Sequence, residues 1–202
     1  MTPAGAYRLF VALRVPEEVK SEVRKAQADL RRAIPQAKVT WTPPEQFHAT
    51  LKFLGNVDAR RVGELVEALR AACGPFAALR LRAGGVGCFP HPRAPRVVWL
   101  GVRDADETLP RLQRAIETAC ATFTAQGPER QRFSGHLTLG RIKDIGRSEA
   151  DSLAGQTRAM AERFFGQWTA DGVDIMRSEL SPQGARHSVL ATVALGGKGL
   201  ES

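Results

Sequence analysis

The sequence predicts an α+β protein built as two similar lobes around a cleft. Three observations carry that reading. Extended and helical periodicities alternate along the 202 residues. The order strand, helix, strand occurs twice. The closing strand of each pass carries one frame, His48-Ala49-Thr50-Leu51 and His136-Leu137-Thr138-Leu139, 88 positions apart. On a strand, residues i and i+2 share a face. Each frame therefore presents one imidazole and one hydroxyl on one side and turns a leucine toward the core. Two such faces can close on one small anion from opposite sides. The competing reading, two histidines satisfied inside a core, requires the same accident twice.

The elements follow in order. Tyr7 to Leu13 is apolar and rich in strand formers, and Pro16 stops it. Val19, Val23, Ala26 and Leu30 have helical spacing within Glu17–Ile34, which Pro35 ends. Lys38 to Trp41 is a short strand before Pro43-Pro44, and His48 to Leu54 is a strand closed by Gly55-Asn56. Asp58 caps a helix running to about Ala72, with Val62, Leu65, Val66 and Leu69 on one face. Phe76 to Ala83 is a strand. Gly84-Gly85-Val86-Gly87 interrupts it, as a bulge or as a close backbone approach. Phe89 to Pro95 is a proline-rich surface loop that leaves His91 in solvent, and Val97 to Val102 is a buried strand. Leu109, Leu112, Ile116, Ala119 and Phe123 mark a helix over Thr108–Ala125, ended by Gly127-Pro128. His136 to Ile142 is the second motif strand. Asp144 to Phe165 is a polar connection with some helical content. Gly172–Leu180 and His187–Leu195 are two strands about a hairpin turn at Ser181-Pro182-Gln183-Gly184, and the tail from Gly196 frays.

Bulk properties narrow the setting. Hydrophobic residues make up 43% and charged residues 25%, the usual proportions of a globular protein. No apolar run approaches the roughly 20 residues that span a bilayer. The opening MTPAGAYRLFVALRVP reads as a first strand, because no small-residue cleavage site follows its apolar stretch. Cys73, Cys88 and Cys120 form no CxxC pair, so neither a disulfide framework nor a thiolate metal site is indicated and a reducing cytoplasm is the simplest compartment. The net charge of +8 favours polyanionic partners, and the excess of arginine over lysine suits bidentate phosphate contacts.

The blocks RLFVAL (8–13), WTPPEQFHATLKFLG (41–55), GVGCFPHPRAPRVVWLGV (85–102), HLTLGR (136–141) and SELSPQGARH (178–187) together resemble the bacterial and archaeal RNA 2′,3′-cyclic phosphodiesterases. These were formerly named 2′-5′ RNA ligases and belong to the two-histidine phosphoesterase superfamily. The resemblance covers nearly the whole chain. It implies one bilobal phosphoesterase domain over residues 1–202, with two antiparallel sheets, helices packed outside and the active-site cleft between lobes. It also implies hydrolysis of a ribose 2′,3′-cyclic phosphate to a 2′-phosphomonoester with no cofactor and no metal. The partners would be RNA carrying such ends, tRNA fragments and small cyclic nucleotides among them. A monomer without membrane association is expected. Two positions depart from the family. Gly135 stands where proline commonly precedes the second motif, which would loosen the approach to His136. His187 stands where tyrosine is often found. It is expected to face solvent or to be structural only, and a ring lining the cleft would add a third titratable imidazole.

The chemistry suits two histidines. Opening a cyclic phosphodiester with water removes one proton and delivers another, and a neutral imidazole and an imidazolium can coexist near neutrality. Rings from separate lobes also fit in-line displacement at phosphorus. Thr50 and Thr138 would bond the non-bridging oxygens. The resemblance assigns His48 as general acid toward the 3′ oxygen and His136 as general base toward water, and a reversible 2′-5′ ligation without ATP would use the same groups. Arg141 is assigned to phosphate or base by resemblance, although strict alternation places it with Leu139 unless the strand bulges. Lys52, four residues past His48, would share the motif face and touch phosphate. Phe10 and Phe53 would offer a stacking surface to a base, and Arg93 and Arg96 would grip an RNA backbone. Two other classes compete. A metal-dependent phosphohydrolase would need further ligands in spacings such as HExxH, which do not occur. A non-catalytic RNA-binding protein would share the basic charge but has no use for two imidazoles.

Overall fold

The computed structural model describes residues 5–92, 94–125, 132–181 and 184–197. Strand β1 (Ala6–Arg14) leads to helix α1 (Glu17–Ala33), strand β2 (Lys38–Trp41), strand β3 (His48–Asp58) and helix α2 (Val62–Cys73). Strands β4 (Leu79–His91) and β5 (Ala94–Asp104) precede helix α3 (Thr108–Ala119), strand β6 (His136–Asp144) and helix α4 (Arg147–Ala159). Strands β7 (Phe164–Ala170), β8 (Gly172–Ser181) and β9 (Gly184–Ala194) complete the order.

The strands lie in the order β7-β4-β5-β6-β3-β1-β8-β9, and β2 pairs with the outer part of β6. Every pairing is antiparallel. The order divides into two four-stranded halves, β7-β4-β5-β6 and β3-β1-β8-β9. The resemblance implies two antiparallel sheets; the strands form one curled antiparallel sheet whose halves join where Ala49 of β3 pairs with Leu137 of β6. The pair lies on the pseudo-twofold axis. In its register His48 stands across from Thr138, and Thr50 across from His136. Helices α1 to α4 pack behind the strands, with α1 against β7 and α4, α2 against β9 and α3, α3 also against β3, and α4 against β4. The apolar stripes of α1 and α3 are buried as the spacing requires.

Both motif strands carry the same irregularity. In the β1–β3 register Val11 faces Lys52 and Ala12 faces Thr50, which leaves Leu51 without a partner. In the β5–β6 register Val98 faces Gly140 and Trp99 faces Thr138, which leaves Leu139 without one. Each motif leucine is thus a β-bulge, and a bulge reverses the alternation of every side chain beyond it. The bulged carbonyls are captured by two buried glutamines. Gln27 of α1 donates its Nε2–H to Leu139 O at 2.8 Å, and Gln113 of α3 donates to Leu51 O at 3.3 Å. Helix α1 follows β1, yet it holds the bulge of β6; α3 follows β5, yet it holds the bulge of β3. Gln27 also donates to Thr42 O.

Several boundaries differ from the sequence expectation. The proline-rich stretch is the end of a β4–β5 hairpin, because Cys88 and Val98 bury their side chains from adjacent strands. The four-residue glycine segment is a register shift in β4, and Gly87 lies beneath Trp99, whose ring is 2.4 Å from where a Cβ would stand. The expected polar connection contains α4, whose inward face is only Ala150, Leu153 and Thr157, and it ends in β7. Asp58 caps a 3-10 turn (Ala59–Arg61) ahead of α2, its Oδ1 accepting from Arg60 N. Arg93, Gly127-Pro128, Pro182, Gln183 and the tail from Lys198 lie outside the described residues.

The glutamine anchors are testable. Gln113→Leu leaves the Leu51 carbonyl buried and unpaired, which costs about 1–3 kcal/mol. Chemical denaturation should show that loss. Near-UV circular dichroism and activity should show whether the β3 bulge has relaxed.

Candidate active site

Each motif histidine opens its strand and is anchored in the same way. His48 Nδ1 lies 2.6 Å from Gln46 O, and His136 Nδ1 lies 2.7 Å from Ser134 O. A carbonyl only accepts, so Nδ1 carries the proton in both rings. Nε2 is left on each as the unprotonated nitrogen of the neutral ring. Gln46 is itself fastened, its side chain donating to Ala185 O at 2.7 Å. With Ala49 and Leu137 buried behind them, His48, Thr50, His136 and Thr138 share the open face. Neither threonine hydroxyl has a partner among the described residues.

The bulges decide which neighbours join them. Beyond Leu51, Lys52 turns inward and Phe53 outward, the latter 48% exposed. Beyond Leu139, Gly140 turns inward and Arg141 outward. Arg141 is therefore brought to the histidine face, where its charge reaches both rings. The expectation for Lys52 is corrected by the same bulge: its Nζ lies 2.5 Å from Glu117 Oε1 of α3, with side chains only 7% and 17% exposed. The expectation for Phe10 as a stacking surface is also corrected. Its ring is buried at 2% exposure and forms the floor under His48 (centroids 4.8 Å) and Phe53 (5.7 Å). Phe53 alone of the two offers a free aromatic face.

Phe89 was missed. It stands edge-on to His136 at 5.2 Å and stacks on Trp99 at 5.1 Å, doing for the second ring what Phe10 does for the first. The buried glutamines were missed too, though both break an apolar stripe at one offset, four after Val23 and four after Leu109. Gly135 does not loosen the approach to His136. Its carbonyl accepts from Val102 N at 2.8 Å, and a Cβ there would stand 2.5 Å from Val102 O, so the tight passage excludes proline.

His187 is another correction, since it lies in the site. Its ring is edge-on to His48 (5.4 Å, 88°) and to Phe10 (5.1 Å). Burial was hidden in the sequence because β9 reaches β3 only through β8 and β1. All three imidazoles have pKa values below the ordinary 6.5, with desolvation the first cause in each. That of His48 falls to about 4, against a smaller opposing pull from the Gln46 carbonyl, and His187, Lys20 and Arg141 lower it further. A cavity of about 500 Å³ opens beside His48, away from His136. No three His, Cys, Asp or Glu side chains converge to hold a metal ion among the described residues. Arg96 lines a separate cavity with Lys143 and Arg147, and neither motif histidine lines it.

The family model for LigT-like phosphoesterase matches the chain twice, over residues 13–99 and 100–187. The chain belongs to that family. The two matches divide it between β5's Trp99 and Leu100, and each contains one H-x-T-L frame. An RNA 2′,3′-cyclic phosphodiesterase of Methanothermobacter thermautotrophicus is 34% identical over 179 residues, covering 88% of this chain and 92% of the relative. One from Archaeoglobus fulgidus is 31% identical over 178 residues, covering 88% and 94%. Among solved structures, TT0787 of Thermus thermophilus superposes with a TM-score of 0.77 at 28% identity, covering 95% of this chain and 99% of that one. No helix among the described residues is long and apolar enough to cross a membrane.

Because Lys52 is a buried ion-pair partner, Lys52→Ala should cost about 3–5 kcal/mol by removing the cation that balances Glu117. Thermal denaturation should report the loss. The KM of whatever protein remains folded should stay near wild type, whereas a phosphate-binding lysine would raise it.

Proposed function

We propose that the chain hydrolyses terminal 2′,3′-cyclic phosphates of RNA to 2′-phosphomonoesters, within one two-lobed unit formed by both halves of the sheet. The observation that carries the reading is the twofold frame of His48, Thr50, His136 and Thr138 on one face, with both Nδ1 protons tied to backbone carbonyls. A cyclic phosphate seated on the axis has one Nε2 on each side of phosphorus. His136 takes a proton from the attacking water, and His48 gives one to the departing 3′ oxygen, leaving phosphate on the 2′ oxygen. The order of the two roles comes from the resemblance. Thr50 and Thr138 donate to the non-bridging oxygens, and Arg141 offsets the charge that gathers there. Phe53 offers its free face to a base. No step uses a metal or nucleotide cofactor. With a ribose 5′-hydroxyl in place of water, attack on the same phosphorus and departure of the 3′ oxygen would form a 2′-5′ linkage, and the reverse would cleave it. The relatives' names support cyclic-phosphate RNA as substrate class. tRNA fragments and cyclic nucleotides present the same group, and the protein would meet them as a monomer. Three buried, unpaired cysteines suit a reducing cytoplasm.

An oligonucleotide ending in 2′,3′-cyclic phosphate should yield a 2′-phosphate end in EDTA-containing buffer. His48→Ala and His136→Ala should each lower kcat by at least ~10²-fold, the usual worth of general acid–base catalysis. A 3′-phosphate product, or two fully active variants, would refute the mechanism.

The pH dependence follows from the lowered pKa values. The empty site holds its rings neutral at pH 7, and a bound phosphate anion favours the imidazolium, raising the pKa of the ring beside it. kcat/KM, which reports the free enzyme, should therefore trace a bell centred below pH 6.5, and the bell for kcat should lie at higher pH. Steady-state rates across pH 4–9 test the offset. A single ionisation with a flat plateau would contradict two working imidazoles.

A further inference from the structure

The cavity beside His48 carries cations that the hydrolytic step does not use. Arg14 stands opposite His48 in the β1–β3 register. Its Nε and Nη2 donate to the two carboxylate oxygens of Asp174, at 3.0 and 2.9 Å. Asp174 is buried and accepts a further bond from Thr192 Oγ1 at 2.7 Å. The Arg14 side chain is nonetheless 66% exposed. Nη2 also donates to Thr192 Oγ1 at 3.4 Å, so the guanidinium is held along one side, keeps Nη1 for a ligand and loses little freedom when it takes one. Lys20, from the first turns of α1, lines the same cavity and has no ion pair among the described residues. Its nearest helical carboxylate, Glu17, is engaged by Arg24 at 2.5 Å. The acidic groups facing the cavity are Asp174, already paired, and Glu45, exposed at the rim where solvent screens it. Met176 and Val189 supply apolar wall. The other half of the sheet has no counterpart: the residue opposite His136 is Gly101.

We propose that this cavity is a second phosphate subsite, in which Arg14 and Lys20 take the 5′-phosphate of the nucleotide whose cyclic phosphate lies between the histidines. The inference rests on the reading of the site as a cyclic phosphodiesterase and deepens it. Within one nucleotide a ribose separates the two phosphates, and the cavity begins one strand away from His48, a step of roughly 4.8 Å. The substrate class is then an RNA end or a 5′-phosphorylated cyclic nucleotide, favoured over a cyclic nucleoside phosphate with a free 5′-hydroxyl.

The test compares adenosine 2′,3′-cyclic phosphate bearing a 5′-hydroxyl with the same compound bearing a 5′-phosphate, and with a dinucleotide ending in cyclic phosphate. Wild-type kcat/KM should be about tenfold higher for the last two, equivalent to ~1.4 kcal/mol, and the advantage should shrink as salt is raised. Lys20→Ala, and Arg14→Lys, which keeps a charge for Asp174 but loses the fork, should each bring that ratio toward one. The ratio cancels any change in His48 basicity common to the substrates. A wild-type ratio near one, or a ratio unchanged in both variants, overturns the subsite. Hydrolysis of none of the three compounds would instead overturn the reading of the site itself.

Discussion

The distance between the two imidazoles is set by one cross-strand pair, Ala49 against Leu137, where the halves of the sheet meet. An antiparallel register has no intermediate settings. A one-residue slip of β3 would turn His48 and Thr50 into the core and bring Ala49 to the surface, and a slip of β6 would do the same to His136, Thr138 and Leu137. Burial of Leu51, Leu137 and Leu139, worth roughly 2 kcal/mol each, opposes that slip. The crossed glutamines add a second lock. Gln27 and Gln113 each hold a bulge of one half from a helix that follows a strand of the other, so a helix that pulled away would leave a bulged carbonyl without its partner in an apolar surrounding.

Electrostatics and packing reinforce one another there. Phe10 and Phe89 dry the two rings from beneath, and desolvation holds the imidazoles neutral while Arg141 keeps the surroundings positive. The empty site is therefore primed for an anion and lacks a proton to donate. A phosphate supplies the missing charge, and protonation of one ring then becomes favourable. In the proposed mechanism, substrate binding and arming of the acid are in this way one event.

Much of this was legible from the residues. The two H-x-T-L frames, the duplicated order of elements and the helical stripes survive in the structure with small boundary changes. What strand alternation alone misplaced lies beyond the bulges. Lys52 and Arg141 swapped sides because Leu51 and Leu139 each add one residue to a strand, and neither leucine differs in type from a regular strand residue. Hairpin β4–β5 was obscured by prolines that occupy its end. The positions of Phe89 and His187 beside the motif rings depend on strands distant in sequence, and no local pattern encodes them. Gln27 and Gln113 did leave a trace, as polar residues at one offset within two apolar stripes.

A site with strict twofold symmetry would be indifferent to its guest's orientation, and half of all encounters would offer each ring the wrong ester oxygen. The duplicated strands share their bulge but differ in the second residue after it, a phenyl group at Phe53 and a guanidinium at Arg141. One arm is greasy and the other ionic, so a nucleotide bound as proposed, itself apolar at one end and anionic at the other, would be sorted head from tail before any bond is broken. The repeated frame supplies a matched pair of rings, and the difference two residues past each bulge gives the pair a direction.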